Sequence, residues 1–276
     1  MGNNSIHEIE YVLYSGGRGT VIEDAVIKEQ LICIFVNGKE LATFMCSPQD
    51  PEELALGFLR SEGFIDSIAD VDLITTSRHQ TCVDVWLKQN KRFEAPKRRI
   101  ITSGCGGGVT FDDLSQKVAP LDSEVVFQPD QIFAMMRQLN QAATLYRQVR
   151  GVHTSALSDG QRLLTVAEDV GRHNTIDRLW GQAMQQGIET RDRLIITTGR
   201  VSSEMLNKAA KMGAPVVASR TSPTSLSVEL ARAWNITLLG YVRPPRMRVY
   251  TARHRINDHS QRDPNLALVG ARALTA

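Results

Sequence analysis

Arg193-Leu194-Ile195-Ile196-Thr197-Thr198-Gly199-Arg200-Val201-Ser202-Ser203-Glu204-Met205 is the stretch on which the fold turns. Its first half is a short apolar run rich in β-branched residues, which predicts a strand over Arg193 to Thr198. Gly199 interrupts it, and Ser202 is a residue that caps helices. A helix is therefore expected from about Ser202 to Met212, stopped by Gly213. The same unit recurs on both sides. Upstream, Arg162 to Ala167 reads as a strand, and Asn174 is expected to cap a helix with Ile176, Leu179, Trp180, Ala183 and Met184 at helical spacing. Downstream follow a strand over Pro215 to Ser219, a helix over Thr224 to Trp234 and a strand over Ile236 to Val242. Alternation of this kind predicts an α/β layer on a mixed or largely parallel sheet with flanking helices. A long helix, roughly Pro129 to Gln148, precedes it, with Ile132, Met135, Met136, Leu139 and Ala143 on one face.

The beginning of the chain reads as a smaller, β-rich α+β part. Gln30 to Val36 and Lys39 to Cys46 flank Asn37-Gly38, the preferred two-residue hairpin turn. Asp50, Pro51, Glu52 and Glu53 suit the start of a helix that buries Leu54, Ala55, Phe58 and Leu59 and ends at Gly63. Val71 to Thr76 and Thr81 to Lys88 are further strands. Four glycines in five positions at 104–108 carry too much backbone freedom for a regular element, so this run is expected to be the loop that closes the first part. The expected organisation is 1–108, then 109–255 as the α/β domain, then a weakly patterned tail over 256–276.

The 276 residues are 42 % hydrophobic and 22 % charged, as in ordinary globular proteins. A formal net charge of +2 makes no bulk case for nucleic acid or an anionic membrane as partner. The polar start has no signal-peptide pattern and no apolar run reaches eighteen residues, so neither export nor a membrane span is expected. Cys33, Cys46, Cys82 and Cys105 lie far apart without a CxxC pair, the pattern of a reduced cytoplasmic protein. Cys33, Cys46 and Cys82 fall in apolar strands and read as core fillers.

In an open α/β sheet, ligands sit outside the carboxyl ends of the strands. Those ends carry Glu168-Asp169-Val170-Gly171-Arg172-His173-Asn174, Thr198 to Glu204, Ser219-Arg220-Thr221-Ser222-Pro223-Thr224 and Arg243-Pro244-Pro245-Arg246. Each has an arginine, and three have helix-capping residues. Either the arginines pair with acids such as Glu168, Asp169 or Glu204, or they hold a multiply anionic phosphorylated ligand. Four on one edge favour the ligand. Neither GxxxxGK[ST] nor GxGxxG after a strand is present, which argues against a P-loop ATPase or a dinucleotide enzyme. Cys105, between glycines and close in sequence to Lys97, Arg98 and Arg99, suits a thiolate that carries a group from donor to acceptor. The alternative is an anion-binding glycine loop whose cysteine is incidental. His153 reads as a structural hydrogen-bonder. His173, beside Asp169 and Arg172, is a candidate for proton handling.

These loops, in this order, resemble the FdhD family of formate dehydrogenase accessory sulfurtransferases. The resemblance rests on Ser47-Pro48 through Glu62-Gly63, the glycine-flanked Cys105, Glu168 through Asn174 with Asp177, Thr198 through Met205 with Lys208-Ala209, Thr221 through Leu226, and Gly240 through Thr251. It implies a C-terminal part similar to cytidine deaminase. It also implies transfer of persulfide sulfur from a cysteine desulfurase to the molybdenum bis-molybdopterin guanine dinucleotide cofactor of formate dehydrogenase, in a homodimer. Cys105 takes the persulfide position. Tyr241, Val242, Arg243, Pro244, Pro245 and Arg246 take the guanine nucleotide site, and Arg200, Ser202, Arg220, Thr221, Asp169, Arg172 and His173 are the further candidates on the same edge. Gly108 stands where many relatives have a second cysteine, and Pro245 departs from the usual terminal turn. A zinc deaminase is not expected, because its HxE and PCxxC motifs are missing. The competing reading is a cofactor-holding chaperone without sulfur chemistry.

Overall fold

The computed structural model describes residues 5–89, 100–101, 109–110 and 119–257. Cys105 with its glycines, Lys97 to Arg99 and the tail from 258 lie outside these residues. Strands β1 (Ile6–Ser15) and β2 (Arg18–Ile27) form an antiparallel ribbon whose turn uses Gly16 and Gly17, both at positive φ. Strands β3 (Gln30–Val36) and β4 (Lys39–Cys46) make the expected hairpin, with Asn37 and Gly38 left-handed at φ 51° and 73°. Helix α1 (Pro51–Ser61) follows, then β5 (Val71–Thr76) and β6 (Cys82–Leu87). The sheet order is β4-β3-β6-β5, with β3 parallel to β6. Helix α1 covers one face, where Ile32, Ile34, Phe44, Leu54, Phe58, Val83 and Val85 form a core. The short strands β7 (Ile100–Ile101) and β8 (Val109–Thr110) pair with each other.

The second part begins with α2 (Pro129–Ala142) and α3 (Thr144–Val149). It continues through β9 (His153–Ser158), β10 (Leu163–Asp169), α4 (Arg172–Gln186), β11 (Leu194–Thr197) and α5 (Ser203–Lys211). It ends with β12 (Val216–Ser219), α6 (Ser225–Ala233), β13 (Thr237–Arg243) and β14 (Arg246–Val249). The sheet order is β10-β9-β11-β12-β13-β14. Strands β11, β12 and β13 are parallel, while β9 is antiparallel to both neighbours and β14 to β13. Strands β10 to β13, β9 apart, thus share one carboxyl edge. Helices α4 and α5 pack on one face through Ile176, Leu179, Met205 and Leu206. Helix α2 packs on the other through Ile132, Met136 and Leu139.

Three local expectations are corrected. The long helix over Pro129 to Gln148 breaks at Ala143 (φ −71°, ψ 70°). There the Glu168 carboxylate accepts from Leu145 N at 2.7 Å and Tyr146 N at 3.0 Å, capping a new helix start. Asn174 does not cap α4, which begins at Arg172 with Gly171 as its cap residue. Its amide instead donates to Asp169 Oδ1 at 2.9 Å. Asp50 precedes α1 in a left-handed conformation with no side-chain cap bond. Its carbonyl is taken by Arg178.

The two parts meet along α1 and α4. A Cβ at Gly57 would stand 1.7 Å from Asp177 O, and one at Gly181 would stand 2.0 Å from Glu53 O. Only glycine allows the helix backbones to approach so closely. Beside this seam the buried Asp169 Oδ2 accepts from Arg178 Nε and Nη2, both at 2.9 Å. Arg178 also donates to Ser47 O at 2.8 Å and to Gln49 O, pinning the entry to α1. Among the described residues no helix is long and apolar enough to cross a membrane.

Candidate functional site

The loops at the shared carboxyl edge are tied together by backbone bonds. Thr198 N donates to Thr154 O at 2.9 Å, and Arg220 N to Thr197 O at 2.9 Å. Val201 N donates to Ser222 O at 3.2 Å and Tyr241 N to Thr221 O at 2.9 Å. Ser219 Oγ donates to Gly199 O at 2.7 Å and accepts from Thr221 N at 3.0 Å. Gly199 has no room for a side chain, because a Cβ would meet Arg172 Cβ at 2.9 Å. The edge is a pre-built rim, not four independent loops.

The acids that would neutralise this edge are occupied elsewhere. Glu168 caps α3 and accepts from Thr154 Oγ1 at 3.1 Å. Asp169 is fully buried on Arg178. Glu204 is buried beside His173 and Lys208. Among the described residues, Arg200, Arg220, Arg243, Arg246 and Arg248 make no ion pair with a carboxylate. Uncompensated guanidinium groups along one rim favour an anionic ligand over internal pairing.

A cleft of about 590 Å³ opens there, lined by Pro129, Phe133, Tyr241, Arg243, Pro245, Arg246, Met247 and Arg248. Arg243 and Arg246 are register partners across the β13–β14 turn, whose Pro244–Pro245 peptide is cis. Tyr241 is left-handed at φ 51°, and the guanidinium of Arg248 stands 4.1 Å from its ring centre. Gly240 is held at the base, since a Cβ would meet Tyr250 at 2.9 Å and Thr221 O at 3.0 Å. Of the sequence candidates, Tyr241, Arg243, Pro245 and Arg246 line the cleft together. Pro244 lies in the turn, and Val242 is wholly buried in the core shared with α2. Phe133, Met247 and Arg248 were not singled out from the sequence. The spacing of Arg246 and Arg248, two apart on a strand, was the available signal, since it puts both on one face.

Arg200, Ser202, Arg220 and Thr221 lie outside this cleft, on the neighbouring strand ends. Asp169, Arg172 and His173 are buried beneath them. His173 Nε2 is 2.9 Å from Ser202 Oγ and 3.4 Å from Glu204 Oε2. Burial first, then Lys208 and Arg172, pushes this imidazole down to about 2, so it is neutral at physiological pH. Lys208 Nζ donates to Asp177 Oδ2 at 2.5 Å and lies 4.0 Å from Glu204 Oε1. Burial outweighs that lysine and raises Asp177 to about 6. His173 is thus a neutral hydrogen-bonder that fixes the start of α5, with Asp177, Glu204 and Lys208 as its buried support. His153 is also held low, by burial and by Arg172.

A model described as the FdhD/NarQ family matches residues 27–257. A protein of Staphylococcus aureus (strain MRSA252) named sulfur carrier protein FdhD is 38 % identical over 256 residues, covering 91 % of this chain and 96 % of that one. The protein of the same name from Bacillus subtilis (strain 168) is 36 % identical over 251 residues, covering 89 % and 95 %. The crystal structure of a protein described as a formate dehydrogenase accessory protein, from Desulfotalea psychrophila, superposes with a TM-score of 0.78 at 29 % identity. That match covers 92 % of this chain and 100 % of the other.

Proposed function

The chain belongs to the FdhD/NarQ family, and on that premise we propose that it is a cytoplasmic sulfurtransferase serving formate dehydrogenase. It takes persulfide sulfur from a cysteine desulfurase onto Cys105 and passes it to the molybdenum bis-molybdopterin guanine dinucleotide cofactor, which is its substrate. The same reading makes it a homodimer.

The observation that carries this reading is the cleft. Arg243, Arg246 and Arg248 have no carboxylate partner among the described residues, and they surround the apolar Phe133, Tyr241 and Pro245. A guanine nucleotide has the matching halves, a flat base for these apolar side chains and a pyrophosphate for the guanidinium forks. Arg200 and Arg220, on adjacent strand ends, extend the cationic rim. His173 acts as a positioning residue by holding Ser202. In the loading step the Cys105 thiolate attacks the outer sulfur of the donor persulfide; the donor S–S bond breaks and the donor thiolate leaves.

Intact mass after incubation with a cysteine desulfurase and cysteine tests the carrier role. The parent should gain sulfur and the Cys105→Ala variant should not. If neither gains it, or both gain it equally, the carrier role fails and the protein is a cofactor-holding chaperone.

A further inference from the structure

A second group of thiols lies away from the arginine-lined edge. Cys33 on β3 and Cys82 on β6 are register partners in a parallel pair, and both are free. The buried positions of these strands are Ile32, Ile34 and Val36 in one and Val83, Val85 and Leu87 in the other. The period of two therefore puts Cys33 and Cys82 together on the face away from α1. Both are half-buried, unlike Cys46, which is wholly enclosed. Leu31 at 54 % and Trp86 at 43 % exposure show that this face is open to solvent. The sequence expectation that both cysteines are core fillers is corrected accordingly: each strand alternates, and its cysteine falls on the outer phase.

Register partners on neighbouring strands have Cα atoms about 4.8 Å apart. A disulfide spans Cα separations of about 4.4–6.8 Å, so the backbone is already in range. Both cysteines sit next to irregular backbone. Cys82 is the first residue of β6 and follows a turn in which Ser77 Oγ accepts from Thr81 N and Cys82 N, both at 3.0 Å. The pairing of β3 with β4 is bulged between Ile34 and Phe35, just past Cys33, and bulges increase local twist. Thr43 Oγ1 lies 3.4 Å from Cys33 Sγ but is 2.9 Å from the Glu40 carboxylate, so its one proton goes to Glu40 and turns to Cys33 only when that bond is given up.

We propose that Cys33 and Cys82 form an oxidisable dithiol, a modification site separate from Cys105, which closes to a disulfide with hydroperoxide as oxidant. Cys33, as thiolate, attacks one peroxide oxygen; the O–O bond breaks, hydroxide leaves, and Cys33 becomes a sulfenic acid. The Cys82 sulfur then displaces the sulfenic hydroxyl, forming the S–S bond and releasing water. Two thiols are oxidised and one peroxide is reduced to two waters. This site does not depend on the sulfur-carrier reading.

The test uses the full-length Cys105→Ala protein, reduced and then treated with hydrogen peroxide, with free thiols blocked by iodoacetamide before digestion. Cys33 and Cys82 fall on separate tryptic peptides, 29–39 and 79–88. The expected product joins these peptides, at a mass two hydrogens below their sum, and is lost on adding Cys33→Ser or Cys82→Ser. A parallel arm uses diamide, which forms disulfides without transferring oxygen. Both cysteines recovered unlinked in both arms, or linked to Cys46 instead, would overturn the proposal.

Discussion

The guanidinium of Arg248 stacks on the Tyr241 ring at 4.1 Å, joining a strand-end aromatic to the strand that returns beside it. Arg248 thereby holds the ring in place while its own charge stays exposed beside Arg243 and Arg246. If a guanine nucleotide occupies the cleft, each arginine contributes a charge-assisted hydrogen bond, about 1.5–3 kcal/mol when well formed. Exposure to water reduces this. We expect Arg243→Ala, Arg246→Ala and Arg248→Ala each to weaken GDP binding by about tenfold, or about 1.4 kcal/mol. Calorimetry at two salt concentrations checks it, since loss of a phosphate contact also flattens the salt dependence. Unchanged affinity in all three variants would mean that the nucleotide binds elsewhere.

Much of the α/β layer was legible because its strands are buried on both faces. Leu194 to Thr197 is wholly enclosed, and such strands read as unbroken apolar runs between capped helices. The β1–β2 ribbon was not legible, because Tyr11, Val12, Leu13 and Tyr14 are all exposed and no core face imposes a pattern. The start of α4 was misplaced because Asp169, nine residues before Arg178, recruits the Asn174 amide that would otherwise cap. For the site, the rule for carboxyl ends located Arg243 and Arg246. It missed Phe133 and Arg248, which come from a helix on the other face and an antiparallel strand.

The seam between α1 and α4 gives a prediction of opposite sign to helix propensity. Alanine in place of a mid-helix glycine gains about 1 kcal/mol in an open helix. At Gly57 the new methyl would be 1.7 Å from Asp177 O, which is backbone and cannot rotate away. Forced separation of packed helices costs about 3 kcal/mol, so the clash wins. Gly57→Ala and Gly181→Ala should each lower the urea midpoint markedly. A midpoint equal to the parent's would show that the helices are not in contact in solution.

Asp169 lies on the ligand edge by sequence, yet its carboxylate is enclosed and spent on protein groups. Its Oδ2 receives Arg178, while Oδ1 receives Gly171 N at 2.8 Å and Asn174 Nδ2 at 2.9 Å. Asp169→Asn leaves the Arg178 charge buried without its partner, at a cost of about 3–5 kcal/mol. Arg178→Met removes the charge while keeping most of the stem, and leaves the Asp169 carboxylate buried without its partner at a similar cost. Stability should fall in both, while GDP affinity of the folded fraction stays near the parent's. A selective loss of nucleotide binding at parental stability would instead place Asp169 in the ligand shell.

Glu53 supplies a pH dependence whose sign can be worked out. Burial raises its carboxyl from 4.5 to about 7, against a hydrogen bond donated by Gln182 Nε2 at 2.8 Å. Asp50 adds to the rise and Arg178 opposes it. The folded state therefore holds this proton more tightly than the unfolded state does. Between the unfolded and folded values the folded protein binds more protons, so stability falls as pH rises through that window. The contribution is fully present below about pH 4.5 and lost above about 7. Asp177, raised to about 6, acts in the same direction, so the parent's profile alone does not isolate Glu53. Glu53→Gln does, because it keeps a carbonyl for Gln182 and removes the titration. The variant should match the parent near pH 5 and exceed it in urea midpoint near pH 8, with the gap opening between. Parallel profiles across that range would show that Glu53 is ionised in the folded protein throughout, and that the α1 start is more open to water than its packing against α4 implies.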